Sequence, residues 1–325
     1  MPSSVDLSII IVNWRSVSVL RPCLASIYAN AKDFSFEIIV VDNASFDGCA
    51  QMIDREFPKV RFIQGEQNVG FAKANNLGFA RSNGKNLLFL NPDTEIVGPA
   101  ITLMLYRIQS IADAGVVSCT LLNSDHSIQT SCVQRFPSIA YQLLDSELLR
   151  KLSPRSDLWG TRALFEPKTA PVSVEMVSGA CLMIRRNVFE IVGQFDGEYF
   201  MYAEDMDLCY QVHRAGWKIY YVGDAVVIHH GGKSTDSKSG NHFPSILMNE
   251  SMLRFVRNTR GELYARAYQA TAGLNAVVRL SLLAMVFVST FGKYRGRSIR
   301  NSLGKWSKVL RWSIGFEDWA KRLAA

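Results

Sequence analysis

Several polar side chains of the kinds that carry acid–base or metal chemistry follow short apolar runs in this sequence. They are Asn13-Trp14, Asp42-Asn43, the stretch Gln64 to Asn68, Asn91-Pro92-Asp93-Thr94-Glu95, and His229-His230-Gly231-Gly232. A further acidic group, Glu204-Asp205-Met206-Asp207, comes after the aromatic stretch Tyr199 to Tyr202. Carboxylates can take a proton from a hydroxyl or hold a hard cation, and imidazole can complete such a cation's shell. Asp93 and His229 are of the types that suit Mg2+ or Mn2+. No glycine-rich turn follows the first apolar run, since Asn13-Trp14-Arg15-Ser16 contains no Gly. That argues against a dinucleotide-binding Rossmann protein and a P-loop NTPase. A phosphorylated ligand would then need a metal to screen its charge.

The elements that must position these residues are legible from periodicity. Leu7–Val12, Phe36–Val41, Val60–Ile63 and Asn86–Leu90 are short apolar runs of the kind buried on both faces of a sheet. Helical spacing fills the intervals at Val19–Ala29, Asp47–Phe57, Phe71–Ser82 and Pro99–Ser110. The alternation predicts an α/β fold with a mostly parallel twisted sheet flanked by helices. Ligands in such sheets bind beyond the carboxyl ends of the strands, where the polar groups collect. Residues 124–171 carry four prolines and read as a long excursion with one helix near 140–151. Strands are expected at Val174–Val177, Ser178–Ile184, Lys218–Val222 and Ala225–His230, with helices at Arg186–Val192 and Ala203–Ala215. Residues 245–325 read as helices only, so the expected division is 1–245 and 246–325.

With 48% apolar and 20% charged residues, the chain can bury a sizeable core. Its net charge of +7 is unevenly placed. Residues 246–325 hold 14 Lys and Arg against 4 Asp and Glu, whereas residues 1–245 hold 22 against 25. Six scattered cysteines without a C-x-x-C pair point to reduced, buried thiols in the cytoplasm. No basic region followed by an apolar run opens the chain, so no secretory signal is expected. The longest apolar stretch, Leu280–Phe291, has 12 residues, short of the ~20 that span a bilayer. Arg279, Lys293, Arg295, Arg297, Arg300, Lys305, Lys308 and Arg311, with Tyr294, Trp306 and Trp312 among them, suggest a segment lying on an anionic membrane surface. The alternative is a tail that packs on the body or forms a homodimer; no nucleic-acid module accompanies the basic run.

Taken together, Ile9–Trp14, Val40–Ser45, Asn68-Val69-Gly70-Phe71-Ala72, Leu90–Thr94 and Phe200–Leu208 resemble family 2 glycosyltransferases over roughly residues 5–245. The rhamnosyltransferase-like branch of bacterial surface-polysaccharide enzymes is the most similar variant. The resemblance implies a GT-A fold and an inverting, metal-dependent transfer from a nucleotide-sugar, dTDP- or UDP-linked. The sugar would be L-rhamnose from a dTDP donor, and the acceptor a growing glycan or a lipid-linked one. It also implies an enzyme working in the cytoplasm, peripherally on the inner face of the membrane.

Position by position, the resemblance makes Asp42 the acid that hydrogen-bonds the nucleotide base, with Asn13, Asn68, Gly70, Lys73 and Asn91 around the nucleotide. The alternative for Asp42 is a cap on the following turn, and for Gly70 a plain turn into a helix. Asn91-Pro92-Asp93 stands where the family carries D-x-D, with Asn for the first acid. Asp93 is left as the main carboxylate for the metal and His229 as its partner. An N-P-D turn with Thr94 capping a helix at Val97 is the alternative, and strand alternation leaves open which of His229 and His230 faces inward. Asp205 is the expected base, with Glu204 or Asp207 orienting the site and Gly179 close to sugar or acceptor. Acids in a first helical turn can also serve the helix dipole alone, and Gly179 can also mark a bulge. Two rival functions are a sugar-phosphate nucleotidyltransferase, which would need a glycine-rich basic loop, and an inactive nucleotide-sugar-binding scaffold or sensor.

Overall fold

A computed structural model describes residues 5–144, 170–231, 243–289 and 297–317. The chain begins β1 (Leu7–Asn13), α1 (Val17–Asn30), β2 (Phe36–Asp42), α2 (Cys49–Glu56), β3 (Arg61–Gln64), α3 (Phe71–Phe79) and β4 (Asn86–Leu90). It continues through β5 (Thr94–Val97), α4 (Ala100–Ser110), β6 (Ala114–Leu122), β7 (Val133–Gln134) and α5 (Ile139–Leu144). After β8 (Val172–Val174), β9 (Met176–Val177) and β10 (Cys181–Arg185) come α6 (Arg186–Ile191), α7 (Glu204–Arg214) and β11 (Lys218–His229). Three helices end it: α8 (Phe243–Arg260), α9 (Glu262–Ser289) and α10 (Arg297–Ser313).

Nine strands form the main sheet, in the order β3-β2-β1-β4-β10-β6-β11-β5 with β8 also paired to β11. Every residue of β1 and β4 is buried, as expected of β-branched and Leu-rich runs covered on both faces. Strands β3, β2, β1 and β4 run parallel, as does β6 with β11; β10 enters antiparallel between β4 and β6. Helix α3 lies close on the sheet at Gly78, where a Cβ would come within 2.5 Å of Ile10 Cγ2. Phe79, Phe89, Phe189 and Phe195 pack together with centroids 4.7–5.4 Å apart, three of the four ring pairs edge to face and Phe89–Phe189 tilted, joining α3, β4 and α6. Burying each such ring contributes roughly 1.5–3 kcal/mol. All six cysteines are reduced and buried, as their apolar neighbours indicated.

The structure departs from the sequence expectations in several places. The segments at Lys218–Val222 and Ala225–His230 are one strand, kinked by a register shift between Val222 and Val226. Thr94 does not cap a helix at Val97: Thr94–Val97 is itself a strand, antiparallel to β11, and the helix starts at Ala100. Strand β6 lies in the middle of the sheet although its Ala-Gly start and Ser, Cys and Thr give it a weak signal. The helix expected at 140–151 is a helix over its described part, Ile139–Leu144; residues 145–169 lie outside the described residues. Finally, counting uninterrupted apolar residues underestimated α9. It has 28 residues, and an 18-residue window reaches a mean hydropathy of 1.8, enough by length and composition to cross a membrane. A helix tolerates isolated Asn275, Arg279 and Ser281 without losing that capacity.

The chain divides into two compact units. The first holds the main sheet and α1–α4, α6 and α7; the second holds α5, residues 198–203 and α8–α10. Within the second unit, Gly273 lets α10 approach α9, since a Cβ there would meet Ser313. Trp312 Nε1 donates to the buried Glu250 at 2.7 Å. The first half of α9 buries Ala265, Tyr268, Ala272 and Ala276, whereas Leu282, Met285 and Val288 are 52–72% exposed.

Candidate active site

Register places the first cluster. Asn13 pairs with Asp42, and Asp42 with Gln64, so the last residues of β1, β2 and β3 stand abreast at the carboxyl edge. Asp42 is 1% exposed. Its Oδ1 accepts from Asn13 Nδ2 at 2.6 Å and from Ser45 Oγ. Its Oδ2 accepts from Gln64 Nε2 at 2.7 Å and from the Ser45 and Phe46 N–H groups at 3.1 and 3.3 Å. Burial pushes the Asp42 pKa up, but the Ser45, Gln64 and Asn13 donors outweigh it and hold the group below the ordinary carboxylate range. Five donors fill the roughly four lone-pair sites of a carboxylate. The turn-cap alternative therefore describes what Asp42 does within the protein.

Asp42, Asp47 and Cys49 could by spacing hold a metal ion. The donor set argues otherwise. Asp47 already accepts from Asn13 Nδ2 and from the Val17 and Cys49 N–H groups. Burial and the charges of Asp47 and Asp42 push the Cys49 thiol up to about 12, so it stays protonated and a poor ligand.

The second cluster lies beside the first. Leu90 ends β4 opposite Ile11, so Asn91-Pro92-Asp93 leaves the sheet next to the end of β1. Antiparallel pairing of β5 with β11 sets His229 against Thr94, and His230 N–H donates to Asp93 O at 2.9 Å. Of the two histidines it is His229 that faces the acid: Nε2 is 3.3 Å from Asp93 Oδ1 and 3.3 Å from Asn91 Nδ2. His230 turns the other way, 2.7 Å from both Glu95 Oε1 and Ser124 Oγ. Asp93 is 3% exposed. A buried carboxylate oxygen and an imidazole nitrogen converging within 3.3 Å are a donor pair that fits a hard divalent cation. Gln129 completes this cluster, touching His229 at the ring and at the backbone. Sequence reasoning missed it because a glutamine in a polar loop carries no pattern.

The acids at the start of α7 form the third cluster. Asp205 Oδ2 accepts from Gly179 N–H at 2.7 Å, and Oδ1 from Met206 N–H at 2.8 Å. One residue on, Ala180 O accepts from Asn91 N–H at 2.9 Å. Two hydrogen bonds and a peptide unit thus link the Asp205 carboxyl to the loop bearing Asp93. Gly179 is small because Asp205 lies against it: a Cβ would sit 3.1 Å from Asp205 Cβ and 3.2 Å from Oδ2. Glu204 is 7% exposed, and its Oε2 has no hydrogen-bond partner among the described residues. Burial and the neighbouring Asp205 push its pKa up to about 8. Burial also raises Asp205, against the Gly179 and Met206 N–H groups, and raises Asp207 to about 6 with help from Asp196. A helix-dipole role alone would favour exposed, ionised acids.

The remaining expected residues shape the surroundings. Asn43 donates to Asn68 Oδ1 at 2.8 Å and to Gly70 O at 3.2 Å, tying β2 to the start of α3. Gly70 takes a φ of +84°, which a side chain would strain. The Lys73 stem runs along Gly197, whose Cβ would meet Lys73 Cε at 3.1 Å. Strained backbone occurs beside the first cluster: Arg15, Ala44 and Phe46 have positive φ without being glycine. Each costs of order 1–3 kcal/mol, and such strain concentrates at functional sites.

An α/β sheet of this order, with acids gathered at its carboxyl edge, defines a GT-A fold. Residues 8–192 match the model of glycosyl transferase family 2, and the chain belongs to that family. It is 30% identical over 250 residues to an N-acetylglucosaminyl-diphospho-decaprenol L-rhamnosyltransferase of Mycobacterium tuberculosis (strain CDC 1551 / Oshkosh), covering 73% of this chain and 80% of the relative. It is 27% identical to the rhamnosyltransferase WbbL of Escherichia coli (strain K12), over 71% of this chain and 87% of the relative. The fold is similar to that of a mannosyltransferase from Pyrobaculum calidifontis in complex with GDP-Man and Mn2+, with a TM-score of 0.58 at 14% identity. That likeness covers 97% of this chain and 88% of the other.

Proposed function

We propose that the chain is an inverting, metal-dependent transferase that moves L-rhamnose from a dTDP-linked donor onto a lipid-linked or growing cell-surface glycan. The observation that carries the reading is the backbone link between Asp205 and the Asp93 loop, because an inverting transfer needs its base and its phosphate site on one edge. Asp205 takes the proton of the acceptor hydroxyl. The hydroxyl oxygen then bonds the anomeric carbon on the face opposite the nucleoside diphosphate, whose bond to that carbon breaks. Burial raises the pKa of Asp205 above its ordinary value, which makes it a better proton acceptor than an exposed carboxylate. A divalent cation, Mg2+ or Mn2+, held by Asp93 and His229 would neutralise charge building on the leaving diphosphate. Asp42 serves the nucleotide through the turn it holds, Ser45 and Phe46, with Asn13 and Gln64 on either side. Glu204, buried beside Asp205, acts on it through charge.

The rhamnosyl donor and the lipid-linked acceptor rest on the names of the relatives. The exposed apolar second half of α9 and the basic charge around it favour attachment to an anionic membrane. The test incubates the protein with a panel of nucleotide-sugars, Mn2+ and membrane extract, following nucleoside diphosphate release and glycolipid mass. Release from dTDP-rhamnose that stops on chelation is expected. Release unaffected by chelator would remove the metal from the reading, and no release from any donor would favour an inactive binding protein.

A further inference from the structure

The hydrogen bonds around His229 fix more than its position. Gln129 follows β6, with its N–H on Leu121 O at 2.8 Å, and its side-chain amide meets His229 twice. Gln129 Nε2 donates to His229 O at 2.8 Å, and Gln129 Oε1 lies 3.0 Å from His229 Nδ1. A backbone carbonyl can only accept, so the NH2 end of the amide belongs at His229 O and its oxygen at the ring. An amide oxygen can also only accept, so Nδ1 must carry the hydrogen. In the neutral ring this leaves the lone pair on Nε2, the nitrogen that faces Asp93 Oδ1 and Asn91 Nδ2 at 3.3 Å each. Asn91 Nδ2 can donate to that lone pair, which an aspartate at this position could not do.

We infer that Gln129 is a positioning residue that locks His229 in its Nδ1–H tautomer, keeping Nε2 as a ready ligand atom beside Asp93. The inference rests on the metal reading above, but its first consequence concerns the protein without metal. Outer partners that orient a ligating imidazole commonly alter metal affinity 10–100-fold when removed. The backbone arm of the same amide also ties the loop after β6 to the end of β11, so tautomer and ring direction are set together.

The experiment uses the full chain labelled with 15N-histidine, read by two-bond nitrogen–proton correlation without metal, and by Mn2+ binding with dTDP present. In the wild type, at a pH where the ring is neutral, Nδ1 of His229 should be the nitrogen that carries the hydrogen. Gln129→Met should abolish that pattern and weaken Mn2+ binding about 10–100-fold. Gln129→Glu keeps an acceptor at Nδ1 but gives up the donor to His229 O, so it should retain the Nδ1–H tautomer and lose less Mn2+ affinity than Gln129→Met. A wild-type ring protonated on Nε2, or an unchanged nitrogen pattern in Gln129→Met, would overturn the inference. So would equal loss of Mn2+ affinity in both variants, which would mark a general packing role. If the wild type binds no Mn2+ while the tautomer follows position 129, the metal reading falls and the Gln129 assignment stands.

Discussion

Asp42 and Glu204 are both buried acids on the same sheet-bearing unit, and their surroundings drive them in opposite directions. Asp42 sits where three parallel strands end in register and receives five hydrogen bonds, so its charge is held more firmly than in water. Glu204 sits at the start of α7 beside another acid, and its Oε2 has no partner among the described residues. Burial alone therefore does not set a carboxyl's charge; the donors and the charges around it decide as well. Strand ends supply such donors from neighbours and turns, making the β1–β3 edge a rigid anionic frame. A helix start preceded by strained Tyr202 and Ala203 supplies fewer, and leaves carboxyls that can exchange protons near neutrality.

If that contrast is right, the largest change in turnover belongs to the proton-exchanging acids. Asp205→Asn keeps the shape and an acceptor for Gly179 N–H but cannot take a proton. Turnover should fall about 10²–10⁴-fold with little change in donor affinity. Wild-type turnover in this variant would remove Asp205 as the base. The frame should respond the other way. Asp42→Asn sets an NH2 group against donors that already point inward, so one of its sides must lose its partners. Unfolding in urea should show a loss of about 3 kcal/mol, with weaker dTDP binding as the Ser45–Phe46 turn loosens. Native stability and native dTDP affinity together would show that the donors around Asp42 are dispensable.

The same contrast explains what the sequence could and could not disclose. The runs Leu7–Val12 and Phe36–Val41 are continuous and β-branched, so the strands and the acids that end them are legible without coordinates. The acidic motif at 204–207 is equally plain. What stays hidden depends on partners far along the chain. Thr94–Val97 is four residues long and becomes a strand only because β11 lies beside it, more than 120 residues later. Alternation separates the faces of His229 and His230, but naming the inward one required knowing where Asp93 stands. That Asp205 lies against Gly179 could not be read from the sequence, because the two are 26 residues apart. Nor can the donors that hold Asp42 within the protein be named until the ends of β1 and β3 and the Ser45–Phe46 turn are seen around it.

The smallest of these effects probes the contrast most directly, because it asks whether Glu204 holds its proton at neutral pH. Its pKa, ordinarily near 4.5, is pushed up to about 8 in the folded protein. Between pH 5.5 and 7 the folded state keeps a proton that the unfolded chain has lost. Raising the pH then favours unfolding, with a slope of about one proton or ~1.4 kcal/mol per pH unit. The stability this group contributes is complete below pH 4.5 and is lost as the pH rises toward 8. Glu204→Gln replaces it with a neutral amide of the same shape and no titration. Relative to wild type, the variant should gain about 2 kcal/mol between pH 5.5 and 7, read from urea midpoints at fixed temperature. Asp205 and Asp207 remain in both proteins; because the Asp205 charge acts on Glu204, the difference between the two curves reports Glu204 together with the change its loss makes at Asp205. A constant difference across that window would mean that Glu204 is already ionised when folded, and the two acids would then be frames of the same kind.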